Sequence, residues 1–124
     1  MEVVTSFEPV IGGKPEVLIL GTVPGKDSLE RSEYYADSSN AFWYIVDKLF
    51  SIDRYARYDD RRKGLVKNGV AIWDVLKQAE RNGSQDNKIA RGTEVANNFV
   101  TFFRDHPSIN QCVFQRSAAT TILL

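Results

Sequence analysis

Short, unbroken apolar runs alternate along this chain with longer segments whose apolar residues recur at helical spacing. Pro15-Glu-Val-Leu-Ile-Leu-Gly-Thr22 is one such run, stopped by a glycine, and this is how a strand buried on both faces of a parallel sheet reads. Gly69-Val-Ala-Ile-Trp-Asp74 is a second strand and Cys112-Val-Phe114 a third. Phe42, Ile45, Val46, Leu49 and Phe50 are spaced for one face of a helix over residues 41–50. The segment Arg54 to Lys67 ends at Asn68-Gly69, a helix stop. Val75 to Arg81 reads as a brief helix closed by an Asn82-Gly83 turn. Thr93 precedes Glu94, Val95, Phe99, Phe102 and Phe103, which predicts a Thr93-capped helix ending near Asp105, its phenylalanines facing the sheet. Strands separated by helical segments imply parallel pairing and an α/β fold. Gln115 to Leu124 holds no further turn, helix and strand of normal length.

The turn after the first strand, Gly21-Thr-Val-Pro-Gly-Lys-Asp-Ser28, falls at a strand's carboxyl end, where open α/β sheets place their ligands. It is not a Walker loop. That motif has a longer spacer between its glycines than Thr22-Val23-Pro24 and a hydroxyl after its lysine, whereas Asp27 follows Lys26 and would repel phosphates. A GxGxxG dinucleotide motif is also absent. Two readings of the turn stay open. Its backbone can aim N–H groups at an anion or a base carbonyl, or it is an ordinary strand-to-helix connection.

Composition narrows the class. A chain of 124 residues, 43% hydrophobic and 26% charged, is one packed domain spanning residues 1–124. Sixteen basic residues balance sixteen acidic ones, so nucleic acid would be held by a local patch and not by a global field. The one sizeable basic stretch lies between Arg54 and Lys67 and includes Arg61, Arg62 and Lys63; it is either a solvated face diluted by Asp53, Asp59 and Asp60 or a phosphate contact. Cys112 is the only cysteine and His106 the only histidine, which excludes an internal disulfide and any metal site built from several thiolates or imidazoles of this chain. Met1 to Phe7 has no leader pattern and no run reaches membrane-span length, so a soluble, cytoplasmic protein without a membrane partner is expected. Asn82-Gly-Ser84, formally a glycosylation sequon, is then only a turn.

Leu18-Ile-Leu-Gly-Thr-Val-Pro-Gly-Lys-Asp-Ser-Leu29 is followed by Tyr34-Tyr-Ala-Asp-Ser-Ser-Asn-Ala-Phe-Trp43, Gly69-Val-Ala-Ile-Trp-Asp-Val-Leu76, Glu80-Arg-Asn-Gly-Ser-Gln-Asp86, and Asn98-Phe99 through His106-Pro-Ser-Ile109. In that order and with similar spacing, the series resembles the uracil-DNA glycosylase superfamily, and within it the hypoxanthine-DNA (deoxyinosine) glycosylase branch. The resemblance covers residues 15–114. It implies a three-layer α/β/α fold on a short parallel sheet of four strands, with a base pocket at the strands' carboxyl ends. It also implies hydrolytic excision of deaminated bases, hypoxanthine and uracil, from damaged DNA without a metal or cofactor.

Mismatch-specific relatives carry Gly-x-Asn-Pro-Gly in the turn, and that asparagine positions the hydrolytic water. Val23 holds the matching position here and has no polar side chain, so their mechanism does not carry over. The Asn of the Asn-x-Phe-Trp motif, Asn40, is the residue the resemblance points to for aiming water at C1′, although an asparagine ahead of a helix is also a good N-cap. The departing base anion needs donors, for which Gly21, Thr22, Val23, Pro24 and Gly25 supply backbone and Ser28 a hydroxyl. Tyr34, Tyr35 or Phe42 is expected to stack on the flipped base, with Trp43 assigned to packing. Asp74, at a strand end, either joins the site or caps the next helix. One departure stands out: family members carry Asn-Gly after the third strand and then a helix and a fourth strand, while here Gln115-Arg116-Ser117 follows Phe114. The expectation is a C-terminally incomplete domain lacking the last strand, its third strand a bare edge that could pair with a second copy. The alternative function is a homologue that binds DNA or a nucleobase without turnover.

Overall fold

The computed structural model describes residues 1–83, 88–117 and 120–123. In chain order the elements are β1 (Glu2–Thr5), β2 (Val17–Gly21), α1 (Lys26–Arg31), α2 (Phe42–Phe50), α3 (Tyr58–Lys67), β3 (Val70–Asp74), β4 (Leu76–Arg81), β5 (Val95–Ala96), α4 (Phe99–Asp105), β6 (Gln111–Ser117) and β7 (Thr120–Leu123). The central sheet has the order β3-β2-β6-β7, and a smaller antiparallel sheet has the order β1-β4-β5.

β2 pairs in parallel with β3 on one side and β6 on the other, as the run-and-helix alternation predicts. Side chains alternate across this sheet. Val70 and Ile72 face a cluster built with Phe42, Trp43 and Val46 of α2 and Leu65 of α3. Leu18, Leu20 and Ala71 face the opposite way, onto Phe102 of α4. Helices therefore cover both faces of a mostly parallel sheet, the three-layer α/β/α arrangement expected from the sequence. Asn68 caps α3, and Gly69, at φ +73, makes the left-handed step into β3.

Several expectations are corrected. Val75 to Arg81 is not a helix: its residues favour helix, but Leu76–Arg81 pairs with β1 on one edge and β5 on the other, and those ladders override propensity. The cap of α4 is Asn98, whose side chain accepts from Thr101 N at 3.1 Å. Thr93 instead ties down β4, its hydroxyl donating to Ala90 O and accepting from Glu80 N. In α2 the buried face is Phe42, Trp43 and Val46, while Ile45 and Leu49 look outward. Asp74 has no helix to cap, because β4 follows it.

The C-terminal region also differs. β6 runs on to Ser117 and pairs with β7 through an antiparallel hairpin, which needs no crossover helix. The parallel fourth strand is missing among the described residues, yet β6 is not a bare edge, so the sheet-edge route to a homodimer loses the strand it was drawn on. Ser84 to Asp86, part of the motif series and of the sequon, lies outside the described residues. Among those described, no helix is long and apolar enough to cross a membrane.

Candidate active site

The strand registers line up three residues at the carboxyl edge of the sheet. Gly21 is paired with Asp74, and Leu20 with Phe114, so Asp74, Gly21 and Gln115 lie abreast where β3, β2 and β6 end. The centre of this row is closely packed. A methyl group on Gly21 would lie 2.5 Å from Asp74 Oδ1 and 3.2 Å from Tyr35 Oη.

Above the row sits Tyr35, whose backbone is in the left-handed region at φ +56, a conformation that costs a non-glycine residue and is common at functional sites. Its ring lies on Phe42, centroids 4.2 Å apart and planes 31° apart. Phe42 is buried in the core beneath it, so the structure gives the outer aromatic position to Tyr35 and the supporting one to Phe42. Tyr34 turns inward: its hydroxyl donates to Glu8 O at 2.9 Å, and burial, helped by the Asp74 charge, pushes its phenol well above the ordinary range. Trp43 is core, as expected, with its indole N–H on Tyr34 O. Ser28 is also buried; its hydroxyl oxygen accepts from Ala36 N at 3.2 Å and so fixes the segment carrying Tyr35.

Asn40 stands at the start of α2. Its Oδ1 accepts from Phe42 N at 2.9 Å and from Gln115 Nε2 at 3.4 Å. Two donors on one atom identify it as the amide oxygen and turn Nδ2 the other way. The N-cap of α2 is Ala41, so Asn40 is not the cap; its side chain closes a local turn onto Phe42 N just ahead of the helix, and that turn orients the amide. Gln115, 7% exposed, is a site residue that sequence reasoning missed, because it was read as the start of the C-terminal departure and not as the end of the third strand.

The turn after β2 has its carbonyls tied down one after another. Gly21 O accepts from Val75 N at 2.8 Å, Thr22 O from Leu76 N at 3.1 Å, and Pro24 O from Arg81 Nη2 at 2.7 Å. No peptide bond among the described residues is cis, and in a trans peptide the N–H points opposite to the C=O. The N–H groups of Thr22, Val23 and Gly25 belong to those same three peptides, so each points away from its anchor. The turn is thus a row of fixed donors with proline at the one position that has none. Arg81 was another miss: it is buried with Ala79 on the inner face of β4, and Leu76–Arg81, which favours helix, gives no sign of that strand in the sequence.

The basic stretch is partly absorbed by structure. Arg61 donates to Ala56 O, pairs with Glu33 at 3.6 Å and lies over Trp43 at 4.5 Å. Arg62 pairs with Asp59 and, with Arg31 and Arg57, lines an open cleft of about 550 Å³ beside Tyr34. Lys63 is exposed. Among the described residues no cluster of histidine, cysteine or acidic side chains is suited to a metal ion.

A mostly parallel α/β/α sheet thus carries at its carboxyl edge a turn with anchored carbonyls, the Tyr35 ring on Phe42, and the Asn40 carboxamide. The uracil DNA glycosylase superfamily model matches residues 9–115, and the chain belongs to that superfamily. It is 37% identical over 84 residues to a hypoxanthine DNA glycosylase of Methanosarcina barkeri, covering 67% of this chain and 53% of that protein. With a hypoxanthine DNA glycosylase of Methanosarcina acetivorans it shares 36% over 94 residues, covering 75% of this chain and 58% of that one. The chain thus spans little more than half the length of these relatives. A solution NMR structure from M. acetivorans, provisionally assigned as a uracil DNA glycosylase, superposes with a TM-score of 0.79 at 30% identity, covering 91% of this chain and 70% of that one.

Proposed function

We propose that this protein hydrolyses the N-glycosidic bond of deaminated bases in DNA, with hypoxanthine as its substrate and uracil as a second. The observation that carries the reading is the turn at the carboxyl edge of the sheet whose carbonyls at Gly21, Thr22 and Pro24 are anchored, which turns the N–H groups of Thr22, Val23 and Gly25 away from those anchors, with Tyr35 Oη close to its first residue, Gly21. Cleavage leaves both bonding electrons on the base, and donors fixed in advance toward that charge stabilise it without reorganising. The two relatives bearing the hypoxanthine DNA glycosylase name support the choice of base.

In this mechanism the base leaves the duplex, at least cost where its pairing is poor, and stacks on Tyr35, which Phe42 backs. The turn N–H groups meet its carbonyl oxygen. As the sugar becomes oxocarbenium-like, Asn40 Nδ2 donates to a water, leaving that water's other lone pair for C1′; so reactive a centre needs an aimed water more than a strong base. Gln115 holds the Asn40 amide in that orientation. Lys63 and Arg62 contact backbone phosphates, while Arg61 holds α3 in place.

The test is incubation of the protein in excess over short duplexes carrying deoxyinosine, deoxyuridine or neither, followed by alkaline cleavage at abasic sites. Lesion-dependent strand cleavage is the expected result. Tight lesion binding with no abasic product would establish the non-turnover alternative.

A further inference from the structure

Arg81 carries a charge with no counter-charge among the described residues. Its side chain is 2% exposed, it takes part in none of the ion pairs among the described residues, and its Nε and Nη1 make no hydrogen bond there. A guanidinium keeps its charge in a protein interior, and burying it without a carboxylate is costly, so a purely structural account of this residue is poor. Its side-chain partner among the described residues is informative: Nη2 donates to Pro24 O at 2.7 Å. That carbonyl belongs to the peptide whose N–H is Gly25. The other two anchored peptides of the turn are held by neutral backbone N–H groups; this one is held by a cation.

We propose that Arg81 is a positioning residue for the leaving base. The cation polarises the Pro24–Gly25 peptide, strengthens the Gly25 N–H on its far side, and lends the turn a fixed positive potential within a water-poor interior. The inference rests on the glycosylase reading above. In the step it assists, the bond from C1′ to the base nitrogen breaks and both electrons go to the base. The water oxygen bonds to C1′ and releases its proton to solvent, and the base anion is protonated afterwards. Arg81 acts on the charge of that anion without touching it, through Gly25.

The dependence on leaving-group acidity tests this. Single-turnover rates are measured for the wild type, Arg81→Gln and Arg81→Lys on duplexes carrying deoxyinosine, deoxyuridine and 5-fluorodeoxyuridine, whose base is a more acidic leaving group than uracil of nearly the same shape. The expected loss in Arg81→Gln is about 10²- to 10³-fold on deoxyuridine, the scale of losing one pre-set donor, and at least several-fold smaller on the fluorinated base. Arg81→Lys, which keeps the charge, recovers part of the rate. If Arg81→Gln does not fold by circular dichroism, Arg81→Met takes its place. Equal losses on the two pyrimidines, or no recovery with lysine, would overturn the role of Arg81 while leaving the glycosylase reading intact. A folded wild type inactive on all three duplexes would overturn both.

Discussion

Substituting Gly21 by alanine probes the centre of the site with a single methyl group. That methyl would lie 2.5 Å from Asp74 Oδ1, where ordinary contact begins near 3.4 Å, so the two must separate by about 0.9 Å. Tyr35 Oη, at 3.2 Å, yields a few tenths more. Asp74 is 3% exposed at the end of a paired strand and has nowhere to swing, so the strain opens the β2–β3 edge. Overpacking of this kind costs ~1–3 kcal/mol. In a domain of this size each kcal/mol lowers the melting temperature by roughly 4 °C. Because Gly21 begins the donor turn, a shift approaching 1 Å also lowers the single-turnover rate on deoxyinosine duplex by about 10²-fold. Urea melts and quenched-flow assays on Gly21→Ala, Asp74→Ala and the double variant check both numbers. The clash disappears in the double variant, so its stability is higher than the sum of the single losses predicts. Wild-type stability and rate in Gly21→Ala, or strict additivity in the cycle, would refute the packing argument.

Other outcomes follow from the same geometry. Asn98→Ala removes the cap of α4 and costs ~1 kcal/mol in a urea melt. Tyr34 is held neutral in the fold by burial and by Asp74, so its folded pKa lies above its unfolded one; the stability it contributes is complete below the ordinary phenol range and is lost as pH rises through that range and beyond. Melts across pH 7 to 11 therefore decline at the alkaline end, and Tyr34→Phe, although less stable at neutral pH, declines less steeply. Lys63→Ala weakens duplex binding and shallows its salt dependence by about one ion in a titration, with no change in melting temperature. Arg61→Ala lowers the melting temperature, because it removes the Glu33 pair and the Trp43 contact.

The parallel core was legible because its strands are buried on both faces and write themselves as unbroken apolar runs, Val17–Leu20 and Val70–Trp73. The smaller sheet was not. β4 is built from Leu76, Lys77, Gln78, Ala79, Glu80 and Arg81, which favour helix in isolation, and only pairing with β1 and β5 makes them a strand. β1 is only Glu2–Thr5, too short for periodicity to speak. Among site residues, Asn40, Tyr35 and the Gly21 turn could be picked out by motif. Gln115 and Arg81 could not, since their positions depend on register across the sheet and on a strand that the local sequence disguises. Phe42 lies one layer deeper than the stacking position expected for it, because spacing alone does not say which of two neighbouring rings covers the other.

The most direct measurement is release of free hypoxanthine from a deoxyinosine duplex, followed chromatographically under single-turnover conditions for the wild type and for Asn40→Ala with its fold verified. Rapid release by the wild type and a loss of about 10² or more in Asn40→Ala are expected, since the proposed mechanism has the amide aim the attacking water. Equal rates for the two proteins, or no free base from the folded wild type, would contradict the assignment of this site.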